Sequence, residues 1–146
     1  MAVPEGLVLI DTNILIYAHC REDDGRRCDI AANIVLEIGK SGRGVLSVQT
    51  LSESYWVMVH KRKPELARQI LTDYAETWQV ISPTKTTFIR ALNGVKDNKF
   101  SFWDAMQWAI AVDYGIPTVL SEDFTHEQII KGVKFINPFL LKGTAQ

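Results

Sequence analysis

The chain is poor in cysteine, in net charge and in long apolar runs. Among its 146 residues there are two cysteines, Cys20 and Cys28. Two cysteines in a chain of this size do not make a disulfide framework, and no second pair or nearby histidine completes a zinc site. They read as reduced thiols of a cytosolic protein. The formal net charge is −1, so no overall basic field draws in nucleic acid. A polyanion would have to be held by local basic patches or by metal. No apolar stretch approaches the roughly 20 residues that span a bilayer. The start of the chain, Met-Ala-Val-Pro-Glu-Gly, has neither the basic nor the apolar region of a signal peptide. Internal repeats, low-complexity segments and linkers are also missing. The expectation is a soluble, cytoplasmic protein, with 1–141 as a single domain and 142–146 as a loose tail.

What is present is a globular composition, 47% hydrophobic and 23% charged, arranged as short apolar runs alternating with helical patterns. Strands are expected at 7–10, 45–48, 78–81, 117–120 and 133–136, the first an unbroken apolar run of the kind buried on both faces. Helices are expected at 12–19, 30–38, 50–60, 64–76, 84–95 and 102–114. The turn residues Gly39, Gly42 and Gly44 close the second helix, Pro64 opens the fourth and Gly115 stops the last. Strands separated by helices imply an α/β fold of three layers, α/β/α, around a central parallel sheet.

Four acids fall at telling places. In open α/β sheets, sites form beyond the carboxyl ends of the strands. Asp11 follows the first strand directly and Asp123 lies just past 117–120. Glu53 is early in the helix after 45–48, and Asp104 is in the first turn of the helix that leads into 117–120. Each has an innocent reading. Asp11 fits the N-cap of the helix at 12–19, and Ser101 with Asp104 fits a capping box. Glu53 and Asp123 fit ordinary solvated carboxylates. Converging on one cleft, however, each close pair would repel by up to ~4 kcal/mol at ~4 Å and an effective dielectric of ~20. Such a cluster must protonate, stay apart or bind a cation, and carboxylate oxygens suit Mg²⁺ or Mn²⁺.

The segment Val8-Leu9-Ile10-Asp11-Thr12-Asn13-Ile14-Leu15-Ile16-Tyr17-Ala18 resembles the opening motif of PIN-domain nucleases. The resemblance continues through Leu51-Ser52-Glu53, Phe102-Trp103-Asp104-Ala105 and Leu120-Ser121-Glu122-Asp123, and closes with Ile136-Asn137-Pro138-Phe139. It covers nearly the whole chain in the family's order. At this length the chain is most similar to VapC-type toxins of bacterial toxin–antitoxin pairs. The resemblance implies a metal-dependent endoribonuclease acting on structured RNA, with Mg²⁺ or Mn²⁺ as cofactor. It also implies a protein antitoxin, a homodimer, and products with 5′-phosphate and 3′-hydroxyl ends. By the same resemblance, Asp11, Glu53, Asp104 and Asp123 are the catalytic and metal-binding quartet. Asn13 orients the first acid, and Ser121 supports the site from behind.

Other residues invite weaker readings. Lys96, Lys99, Phe100, Phe102 and Trp103, just before Asp104, could hold phosphate or stack on unpaired bases, although Phe102 and Trp103 fit the core better. Arg21, Arg26, Arg27, Lys40 and Arg43 are further candidates for an RNA groove; as charged loop residues they fit plain solvation equally. His19, His60 and His126 show no motif. Trp56, Trp78 and Trp108 are expected to pack, and the apolar run at 52–60 suggests a helix buried on two sides or at a dimer interface. Two rivals fail on particular residues. A haloacid-dehalogenase-type phosphatase needs a second Asp where Asn13 stands. A response-regulator receiver needs a phosphoacceptor Asp and a late Lys where Glu53 and Ser121-Glu122-Asp123 stand. A housekeeping RNA-processing nuclease, or a silent binding module on the same fold, remains open.

Overall fold

The computed structural model describes residues 4–20, 24–61 and 63–141. The tail 142–146 and Arg21 lie outside them. The order is β1 (Val8–Ile10), α1 (Thr12–His19), α2 (Gly25–Ser41), β2 (Gly44–Ser47), α3 (Val48–His60), α4 (Pro64–Thr77), β3 (Gln79–Ile81), α5 (Lys85–Asn98), α6 (Phe102–Asp113), β4 (Thr118–Leu120), β5 (Ile129–Ile130) and β6 (Val133–Ile136), followed by a short 3-10 turn, Pro138–Leu140. The sheet order is β3-β2-β1-β4-β6-β5. All neighbours are parallel except the β5–β6 pair.

Side-chain alternation along β1 shows why the sheet has two covered faces. Val8 and Ile10 point into a core with Ile14, Ile34, Ile38, Met58 and Leu71, from α1 to α4. Leu9 points the opposite way, into a core with Ala91, Ala105, Trp108 and Phe135, built on α5 and α6. All three β1 side chains are fully buried, which explains the unbroken apolar run. The result is the three-layer α/β/α arrangement around a mostly parallel sheet. Among the described residues, no helix is long and apolar enough to cross a membrane.

Three local features differ from the sequence expectation. Helix α2 starts at Gly25, capped by Asp24, whose side chain accepts from the Arg27 N–H at 3.2 Å. Arg26 and Arg27 are therefore helical. The helix also runs past Gly39 to Ser41, with the left-handed Gly42 (φ 72°) as its cap. Strand β5 was not expected: its turn residues Lys131 and Gly132 both have positive φ, the backbone of a tight hairpin, but Lys-Gly lacks the usual Asn or Asp signal. Helix α3 is buried mainly through Thr50, Ser54 and Met58. Trp56 is 66% exposed, its ring centroid 4.0 Å from that of His60, so it does not pack in a core. Tyr55 is exposed as well.

Cys20 and Cys28 are buried free thiols, with Cys28 Sγ donating to the Cys20 carbonyl at 3.6 Å. Gly94 lets α5 lie close on α6. A Cβ at this position would stand 2.8 Å from the Trp108 ring.

Candidate active site

Chain order and sheet order part company at β1. The connection from β1 leads to β2 on one side, while β4 takes the other side. This switch point opens a crevice at the carboxyl ends of β1 and β4. Asp11 begins it: its N–H donates to the Leu120 carbonyl at 3.0 Å, tying the end of β1 to the end of β4. Its side chain accepts from the Thr12 N–H at 2.8 Å and caps α1. The capping role and a place in the site are therefore compatible in one residue.

Asp11 is 6% exposed and surrounded by donors. Gln107 Nε2 donates to Oδ1 at 2.9 Å and Ser121 Oγ donates to Oδ2 at 2.7 Å. Burial nevertheless dominates and pushes its carboxyl up to about 6, against hydrogen bonds from Gln107, Ser121 and Thr12 that pull it down; the neighbouring Asp123 adds to the rise. Asn13 clamps the β4 side. It donates to Asp123 Oδ2 at 2.9 Å and accepts from the Glu122 N–H at 3.3 Å. Ser121 Oγ also accepts from the Asp123 N–H at 3.1 Å.

Asp104 enters from α6, whose N-cap Ser101 accepts from the Asp104 N–H at 3.3 Å. Its carboxyl is raised, first by burial and then by the charges of Asp123 and Glu53, against the Ser101 hydrogen bond. One carboxylate oxygen each from Asp11, Asp104 and Asp123 lies within 4.8 Å of the others. Glu53 lies outside this group of three but in the same crevice, its Oε1 accepting from Gln49 at 3.0 Å and Thr12 at 3.3 Å.

The crevice is a cavity of about 460 Å³ lined by Asp11, Asp104, Asp123, Glu53 and Glu122 among others, and among the described residues no lysine, arginine or histidine lines it. Carboxylates crowded in a partly desolvated cleft, two of them, Asp11 and Asp104, with raised pKa, form a donor set for a hard divalent cation. The residues present therefore fit Mg²⁺ or Mn²⁺.

The structure brings all four acids, Asn13 and Ser121 to one edge, and adds residues that the sequence reading passed over. Gln107 is buried and bridges Asp11 to Thr50 Oγ1, at 2.8 Å. The available signal was a lone amide on an otherwise apolar helix, three residues after Asp104. Arg27 reaches Glu122 Oε2 at 2.6 Å and lies over the Tyr17 and Phe139 rings at 5.9 and 5.2 Å. It thus props the rim of the cavity from outside.

Several groove candidates are elsewhere. Lys40 and Arg43 precede β2, at the amino ends of the strands and so at the edge opposite the crevice. Phe100 packs among Trp108, Phe124 and Phe135. Lys96 and Lys99 are exposed near the α5–α6 turn and do not line the cavity. Phe102 is half-buried against the α5–α6 core. Trp103 corrects the core reading: it is 58% exposed and lines the cavity.

A family model described as the PIN domain matches residues 8–131. No curated protein is significantly similar to the chain in sequence. Among solved structures, a toxin–antitoxin complex from Klebsiella pneumoniae is similar with a TM-score of 0.67 and 19% identity, covering 90% of this chain and 97% of that one. VapC20 of Mycobacterium tuberculosis, described as a sarcin-ricin loop cleaving toxin, aligns at TM-score 0.63 and 18% identity over 77% of this chain and 86% of that one. VapBC2 of Rickettsia felis, solved with a DNA fragment from its promoter, aligns at 0.65 and 14% identity over 88% and 96%.

Proposed function

The chain belongs to the PIN-domain family, and from that premise we propose that it is a Mg²⁺- or Mn²⁺-dependent endoribonuclease, the toxin of a type II toxin–antitoxin pair. The observation that carries this reading is the trio of carboxylate oxygens from Asp11, Asp104 and Asp123, within 4.8 Å of one another in a cavity with no basic side chain among its described lining residues. The toxin role and a protein antitoxin draw support from neighbours solved as toxin–antitoxin assemblies. A cytoplasmic setting accords with both. Residues 1–141 act as one nuclease domain in this reading. A homodimer draws support from α5, where Phe88, Ile89, Leu92 and Val95 form an exposed apolar face.

Asp11, Asp104 and Asp123 would hold the ion, with Glu53 as a further acidic group beside it. When bound, such an ion supplies Lewis-acid chemistry, acidifying a water and offsetting charge on the scissile phosphate. The chain's own residues prepare that chemistry. Gln107, Ser121 and the Thr12 N–H hold the Asp11 carboxylate in one orientation. Asn13 holds Asp123 and the Glu122 backbone together, so both strand ends present their acids to the same point. Glu53, outside the trio and oriented by Gln49 and Thr12, would be a further carboxylate beside the ion, able to bind through water or to accept a proton. No side chain forms a covalent bond to phosphorus.

The test is induced expression of wild type and of Asp104→Asn, with the ends of cellular RNA sequenced. Wild type should create new 5′-phosphate ends at defined sites. Asp104→Asn, folding as wild type does, should lose about 100-fold or more of that cleavage. Cleavage surviving in this variant would defeat the reading.

A further inference from the structure

The described residues that line the cavity are acids, amides, a hydroxyl, and aromatic and apolar side chains, with no lysine, arginine or histidine among them. Nucleic-acid binding is usually driven by basic contacts to phosphate. None of the described lining residues supplies that drive. An ion on the acids can hold one phosphate, and an aromatic in the lining can add a contact of another kind.

Two aromatic residues line the cavity, Tyr17 and Trp103. Tyr17 is already engaged, edge-on to Phe139 at 5.2 Å and accepting from Arg27 at 3.3 Å. Trp103 is 58% exposed. Its indole is buttressed on one flank by Phe102, ring centroids 5.0 Å apart at 72°, and Phe102 is itself braced by Phe88 at 6.0 Å. Trp103 also directly precedes Asp104 in the chain, and its indole lines the same cavity as the acid trio. An exposed, propped indole beside a phosphate-cleaving site is a surface for a nucleobase.

We propose that Trp103 is a specificity-determining residue: a stacking platform that takes one unpaired nucleobase next to the scissile phosphate. The proposal rests on the nuclease reading above and adds a base-contacting residue to it. A base inside a duplex has both faces covered by its neighbours, so only a base out of the stack can lie on the indole. Stacking also tolerates all four bases, because each has a π face. The enzyme would then select unpaired nucleotides and not a sequence at that position.

The experiment measures binding and cleavage in parallel. A short labelled RNA, with phosphorothioate linkages to slow its cutting, is titrated with Mn²⁺-loaded protein and followed by fluorescence anisotropy. The same strand is then titrated as a duplex. Wild type should bind the single strand roughly 10-fold more tightly than the duplex, and Trp103→Ala should lose about 10-fold in single-strand affinity. Trp103→Phe should recover most of that loss, and Mn²⁺ binding should be unchanged in both variants. Trp56→Ala, which alters an exposed tryptophan outside the cavity, should bind as wild type does. Equal affinity for duplex, an unaffected Trp103→Ala, or an equal loss in Trp56→Ala would each overturn the proposal. If these binding differences hold but no RNA is cut, the nuclease reading fails and the platform stands. If RNA is cut and Trp103→Ala binds and cuts like wild type, the platform alone fails.

Discussion

Asp11 shows how one residue can cap a helix and remain poorly settled. Burial holds its carboxyl at about 6 against an ordinary 3.8, so in the metal-free fold ionisation costs more than it does in the unfolded chain. As pH falls from about 6 towards 4, the folded state takes up a proton that the unfolded chain does not yet bind, and stability rises; above about 6 that contribution is lost. Asp11→Asn keeps a capping side chain and removes the charge. Without divalent metal it should be more stable than wild type at neutral pH by on the order of 2 kcal/mol. The advantage should vanish near pH ~4. Thermal melts in chelator at the two pH values check this, and equal melts at neutral pH would refute it. The four acids were legible in the sequence because they fall near strand ends or early in helices that start at one sheet edge, and because the motifs around them match the family's pattern; taken singly, each had an innocent reading. Gln107 was not, because its partner Asp11 is 96 residues away and only the packed fold joins them. Trp103 was misread because an aromatic at the start of an apolar helix looks the same whether it faces the core or the cavity.

At the scale of elements, periodicity revealed the strands and helices that carry the core, and missed those set by backbone conformation. Strand β5 has two residues and a hairpin turn built on Lys131 and Gly132, with no apolar alternation to announce it. The start of α2 was hidden because its first turn is charged and its cap, Asp24, sits in a run of polar residues. Gly94 read only as part of a helix, yet it lets α5 approach Trp108. A methyl group at this site would meet the Trp108 ring at 2.8 and 3.0 Å. Gly94→Ala should therefore destabilise by about 1–3 kcal/mol despite the better helix propensity of alanine. Urea denaturation measures the difference, and a variant as stable as wild type would mean that the two helices are free to separate.

For the molecule as a whole, the exposed apolar face of α5 is the clearest unmet demand. Phe88, Leu92 and Val95 fall at successive helical turns with Ile89 beside them, 45%, 47%, 37% and 51% exposed. If this face joins two copies, Ile89→Lys with Leu92→Lys should yield a folded monomer where wild type is a dimer. Light scattering of both proteins decides it, and an unchanged dimer mass would move the interface elsewhere. The sequence pointed to the α/β/α architecture because strands and helices alternate. It could not show this face, because apolar residues on an outer helix surface mimic a second buried side.

The wide spacing of the site along the polypeptide has a consequence for synthesis. Asp11 emerges from a ribosome early, but its carboxylate companions arrive at 53, 104 and 123, and β4 at Thr118–Leu120 must pair with β1 before the crevice exists. On the ribonuclease reading proposed above, a nascent chain would be harmless to the messenger that encodes it until translation is almost finished.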